Sequence, residues 1–134
     1  RSGEVEVRPR AEGPATTVFV RQLGSDTSWW VLGSATANIT LDSPATGDTI
    51  TSPVGLTGSA LAFEGHVNVE VRQDGAREPI GTGFVTGGGD MMRPFSGEVA
   101  FTAPTAEQGA LVLLTYGGED DRVLQAAVIR VAFG

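Results

Sequence analysis

The chain has 134 residues, 40% of them hydrophobic, enough for one domain with a real core without disulfides. Sixteen acidic residues against nine basic ones give a net charge of −7, which repels a phosphate backbone and argues against nucleic acid as a partner. The lack of Cys excludes a disulfide scaffold, thiolate chemistry and Cys-ligated zinc.

Period-two alternation recurs along the chain, and sustained helical periodicity does not. The chain opens at Arg1, without an initiator Met, inside the strand-like repeat Glu4-Val5-Glu6-Val7-Arg8. It is therefore expected to be a processed or excised piece of a longer protein, with any export signal or lipid anchor upstream. After a loop at Arg8 to Pro14, residues Thr16–Gln22 and Trp29–Ser34 are predicted to form a β-hairpin. An isolated hairpin is marginal in water, so this one is expected to pack on the following domain and to bury at least one of Trp29 and Trp30. The alternative is that residues 1–37 close an upstream domain.

From Asn38 onward, short strands are predicted at Asn38–Leu41, Val54–Gly58, His66–Arg72, Ile80–Thr86, Phe95–Phe101, Ala110–Tyr116 and Val123–Phe133. Val67, Val69 and Val71 alternate with His66, Asn68, Glu70 and Arg72, the pattern of a strand dry on one side and wet on the other. The last two strands are apolar on both faces, as expected of central strands. Turn residues separate the runs, among them Asp74-Gly75 and Gly87-Gly88-Gly89-Asp90. The fold class is all-β: an immunoglobulin-like antiparallel β-sandwich over residues 38–134, with an additional N-terminal β-hairpin. Its expected core includes Phe63, Val67, Val69, Val71, Val99, Phe101, Leu113 and Ile129.

Candidate chemistry is sparse. His66 is the sole His, sits on a polar strand face, and has no Gly-x-Ser-x-Gly elbow to serve. The run Gly81 to Gly89 fits no nucleotide-loop template, because Thr86 stands at the third-glycine place and no Gly-Lys-Ser/Thr follows. Glu119, Asp120 and Asp121 offer carboxylates but lack the spacing of a calcium loop. No catalytic residue, cofactor or metal is expected. Adjacent strand residues point to opposite sides, so Trp29-Trp30 is expected to place one ring in the core and one at the surface. Trp29, Trp30 and Tyr116 are the aromatic residues best suited to contact a partner or a sugar.

Three stretches then carry a resemblance: Ile39-Thr40-Leu41-Asp42-Ser43-Pro44, Gly47-Asp48-Thr49-Ile50-Thr51-Ser52-Pro53, and Leu56-Thr57-Gly58-Ser59-Ala60. With Ala62-Phe63-Glu64-Gly65-His66-Val67-Asn68 and Pro94-Phe95-Ser96-Gly97, they make Asn38 to Gly134 similar to the immunoglobulin-like domain of bacterial spore germination. Pro44 and Pro53 are expected to rigidify the first bend, Gly58 to end a strand, and Phe63 to plug the sandwich. The resemblance implies a non-catalytic, extracytoplasmic module of bacterial cell-envelope or lipoprotein-like chains. Members often carry a Ser-x-x-Asp-Gly turn before the last strand, from which Gly117 to Asp121 departs. All nine basic residues are Arg, which fits a GC-rich bacterial host. The expected role is a spacer or protein-binding domain, with a carbohydrate-binding module for a cell-wall polysaccharide as the alternative. A monomer or weak dimer is expected, touching membrane only through an upstream anchor.

Overall fold

Alternating sequences of this kind form sheets, and among its described residues the computed structural model contains strands joined by turns and a single 3-10 turn. It describes residues 1–10, 12–117 and 122–134. The strands are β1 (Ser2–Val7), β2 (Thr16–Leu23), β3 (Ser28–Ala35), β4 (Ile39–Ser43), β5 (Thr49–Ile50) and β6 (Val54–Ala60). The 3-10 turn Phe63–Gly65 follows, then β7 (His66–Gln73), β8 (Gly81–Thr86), β9 (Arg93–Val99), β10 (Gln108–Tyr116) and β11 (Val123–Phe133). No helix among the described residues is long and apolar enough to cross a membrane.

The strands make two sheets. The small one has the order β4-β6-β9; the large one runs β1-β2-β3-β11-β10-β7-β8, with β5 pairing parallel to the end of β11. The small sheet faces the second half of the large one, and the inward residues of both form the core. Leu56, Val67, Val71 and Leu111 are fully buried there, with Val69, Leu113 and Val99 nearly so. Burial of a Val or Leu side chain is worth roughly 1.5–3 kcal/mol, so these residues dominate the stability of the sandwich. Gly58 lies in the middle of β6, not at its end. It is flanked by Leu41 on one side and Phe95 on the other. A Cβ there would sit 2.7 Å from the Phe95 ring and overlap the Thr40 carbonyl, so only glycine lets the three strands close up. Both bends around β5 carry a cis-proline, Pro44 and Pro53.

Three expectations are corrected. Phe63 does not plug the sandwich: it is 58% exposed, because the 3-10 turn with Glu64 at φ 55° swings it outward. Ala62, held by its N–H to the Gly88 carbonyl at 2.9 Å, fills the inward place instead. Phe101 and Ile129 are only partly buried, packed against the margin of the core. β9 ends at Val99, and Phe101 follows as extended chain whose N–H donates to Ser52 Oγ at 2.8 Å.

The third correction concerns the N-terminal segment. The expected hairpin of β2 and β3 forms, and the Glu4–Arg8 repeat adds β1 as a further partner for β2, so the segment is a three-stranded meander. β3 then joins the sandwich along the edge of β11 through the pair Ser34↔Val128. Gly33 permits this approach, since a Cβ there would stand 2.8 Å from the Val128 carbonyl oxygen. Ser34 Oγ donates to the Ala126 carbonyl at 2.6 Å, and the Ala126 N–H donates to Thr16 Oγ1 at 3.3 Å. Buried Gln125 accepts from Asn38 Nδ2 and donates to Thr36 Oγ1, pinning the connection between β3 and β4. The meander thus extends the large sheet beyond the reach of the small one. Neither tryptophan is buried: Trp29 is 51% exposed and Trp30 57%.

Candidate functional site

The register of the large sheet sets one row of outward residues across seven strands: Val5, Val18, Ser34, Val128, Val112, Glu70 and Thr82. Cross-strand partners share a face, so this row samples the outer side of the sheet from edge to edge. It changes character at β7. From β1 to β10 it is apolar apart from one hydrogen-bonded serine; on β7 and β8 it is polar.

The apolar half is an open groove of about 420 Å³ between the meander and β11. Val7, Val18, Val31, Leu124, Ala126 and Val128 line it. Val31 is 61% exposed, and Val5 and Val7 about as open as the tryptophans. The sequence expectation that β10 and β11 are central strands is met in the sheet order, yet their outer apolar residues lie beneath no second layer. The carboxylates of β1 avoid this side. Glu4 pairs with Phe19 and Glu6 with Thr17, which point to the opposite face. A contiguous apolar patch free of charge on a chain of net charge −7 is the signature of a contact surface.

Trp29 and Trp30 point to opposite sides, as neighbours in a strand must. Trp29 shares the outer face, its partner on β2 being Gln22; Trp30 shares the other face with Arg21. Tyr116 is also on the large sheet, but its partner is Val123, at the start of β11. Trp29 lies beyond Ser34 toward the opposite end of that antiparallel strand. The three aromatic residues therefore do not form one platform.

On the polar half, His66 and Phe84 stack with ring centroids 4.9 Å apart and planes at 24°. His66 Nε2–H donates to Asn68 Oδ1 at 3.2 Å, leaving the imidazole beside neither a serine nor a carboxylate. Phe84 is outward because its neighbours must be inward: a Cβ at Gly83 would meet Val99 at 2.9 Å, so β8 carries glycine where the two sheets are closest. That spacing, Gly81-x-Gly83-x-Val85, was the available signal for Phe84, and a glycine-rich loop reading hides it. At the far end of β7, Arg130 on β11 grips the Asp74 carboxylate with two hydrogen bonds of 2.8 and 2.6 Å. This pairing holds the Asp74 carboxyl below its usual range and raises the Arg130 guanidinium. Glu119, Asp120 and Asp121 lie outside the described residues. Among the described residues no three acidic, His or Cys side chains gather into a metal-binding group.

A family model for the immunoglobulin-like domain of bacterial spore germination matches residues 38–121, well over half of the chain. The match begins at the polar connection before β4, leaves the meander outside and stops short of β11. Neither a curated protein nor a solved structure matches the chain.

Proposed function

Because the chain belongs to the immunoglobulin-like domain family of bacterial spore germination, which points to a non-catalytic module, we propose that it serves an exported cell-envelope protein as a protein-binding domain. The observation that carries this reading is the apolar groove between the meander and β11, whose lining holds no charged residue. Its occupant is a protein surface that is itself apolar and poor in charge, because the groove offers almost no polar group to satisfy a charged one. The sandwich supplies a rigid mount, and the meander extends the docking sheet from it. A spacer needs only the mount; the open face adds the capacity to bind.

The chain has no Cys, so single introduced thiols report location and coverage cleanly. Glu98 is exposed on β9 of the small sheet, away from the proposed contact, and Val31 lies within it. In the producing bacterium, Glu98→Cys should react with a maleimide that cannot pass the cytoplasmic membrane. Val31→Cys should react in the purified chain but be protected in cells. Labelling of Glu98→Cys only after lysis would overturn the exported location. Equal labelling of Val31→Cys in both settings would overturn the docking role.

A further inference from the structure

We propose that the polar half of the same sheet is a second, independent site that binds an uncharged pyranose oligosaccharide, along a furrow formed by β7, β8 and the end of β10. The furrow has two lobes. One, of about 400 Å³, is lined by Asn68, Glu70, Thr82 and Tyr116; the other, of about 230 Å³, by Phe63, Glu64, His66, Asn68 and Tyr116. Asn68 and Tyr116 border both, so the lobes adjoin.

The chemistry of the lining selects the ligand. A pyranose ring has an apolar C–H face and a rim of hydroxyls, so it needs an aromatic face beside separate donors and acceptors. Phe63, 58% exposed, supplies the aromatic face of the smaller lobe, and Phe84, 59% exposed, lines neither lobe but stands beside the furrow against His66. Phe84 is steadied on one side by the His66 ring, which is itself fixed by Asn68 Oδ1. That bond leaves the Asn68 amide N–H pair without a partner among the described residues, and the Thr82 and Tyr116 hydroxyls are equally unengaged there. Glu70 gives one oxygen to Arg72 Nε at 2.8 Å and keeps the other to accept a hydroxyl. Exposed bases would also stack on such rings, but Glu64, Glu70 and the net charge of −7 oppose a phosphate backbone, and they oppose acidic polysaccharides equally. A two-lobed furrow favours an oligomer over a single sugar.

The test is a titration of the purified chain with the hexamers of β-linked N-acetylglucosamine and β-linked glucose, followed by calorimetry and by amide NMR shifts. Saturable binding of at least one hexamer is expected, with shifts centred on His66, Asn68, Phe84 and Tyr116. Phe63→Ala should weaken it about tenfold, the order set by one lost ring contact. Asn68→Asp, which keeps the size but replaces the amide donor, should weaken it in a chain whose spectrum stays native. Trp29→Ala and Trp30→Ala should leave it unchanged, and they bear separately on the protein contact at the other half. No saturable binding of either hexamer at millimolar concentration would overturn the proposal. Tighter binding of polygalacturonate, or binding that survives both furrow variants, would do the same.

Discussion

β7 and β3 are both rich in apolar residues, and the structure treats them in opposite ways. Val67, Val69 and Val71 on β7 face the small sheet and are all but invisible to solvent; Trp30 on β3, on the same side of the large sheet, is 57% exposed. The difference does not lie in the strands, since each is paired on both sides within the same large sheet. It lies in the second layer, which covers β11, β10, β7 and β8 from one side and stops before the meander. A strand obtains its hydrogen bonds from its neighbours, but its side chains are buried only by something across from them. Apolar residues that the sandwich does not cover are thereby free to act as a contact surface.

The sharpest way to break this contrast is to cut the same kind of side chain in both regions. Leu111→Ala, at a fully buried position, should cost about 2–5 kcal/mol in urea unfolding. Val31→Ala should change stability by less than about 0.5 kcal/mol. A comparable cost for the two would mean that the meander has a covered face. The junction comes next. Gly33→Val forces a side chain against the Val128 carbonyl and should cost roughly 1–3 kcal/mol, with the meander losing protection from hydrogen exchange before the sandwich does. Uniform exchange across both regions would show that β3 does not depend on that close approach.

The smallest effect expected is electrostatic. Asp74 is half exposed and Arg130 about one-third, so their pairing should be worth no more than about 1 kcal/mol. The Asp74 carboxyl is held below its ordinary value of 3.8. Its contribution is therefore full above about pH 4 and disappears as the pH falls through the lowered folded value. Asp74→Asn should accordingly lower stability slightly at pH 7 and leave it unchanged near pH 2. A difference that persists in acid would assign the effect to packing.

Much of the sandwich was legible because strand alternation reports a two-sided environment directly. β7 was readable from three valines, and β11 begins and ends where its apolar run does. β5 was hidden because two residues cannot show a period, and β1 because its repeat was visible while its partner across the loop was not. Phe63 and Phe84 were misjudged or overlooked for a common reason: hydrophobicity alone does not say which way a ring points. A 3-10 turn decides the first, and inward glycines decide the second. The position of the second layer is a property of the whole chain, and no local pattern around Trp29-Trp30 contains it. The family resemblance was legible in the motifs around β4 to β7, whose Gly58 has a packing reason that the sequence alone did not reveal.

The two tryptophans of the chain both lie in the meander, so their fluorescence reports that region alone. The most direct measurement is acrylamide quenching of the Trp30→Phe variant at low micromolar concentration, where Trp29 is the sole emitter on the proposed contact face. If the meander is a single open layer, emission should lie close to that of the urea-unfolded chain and quenching should approach the unfolded value. Blue-shifted emission with strong shielding would show that the outer face is already covered within the folded chain, contradicting the open docking surface.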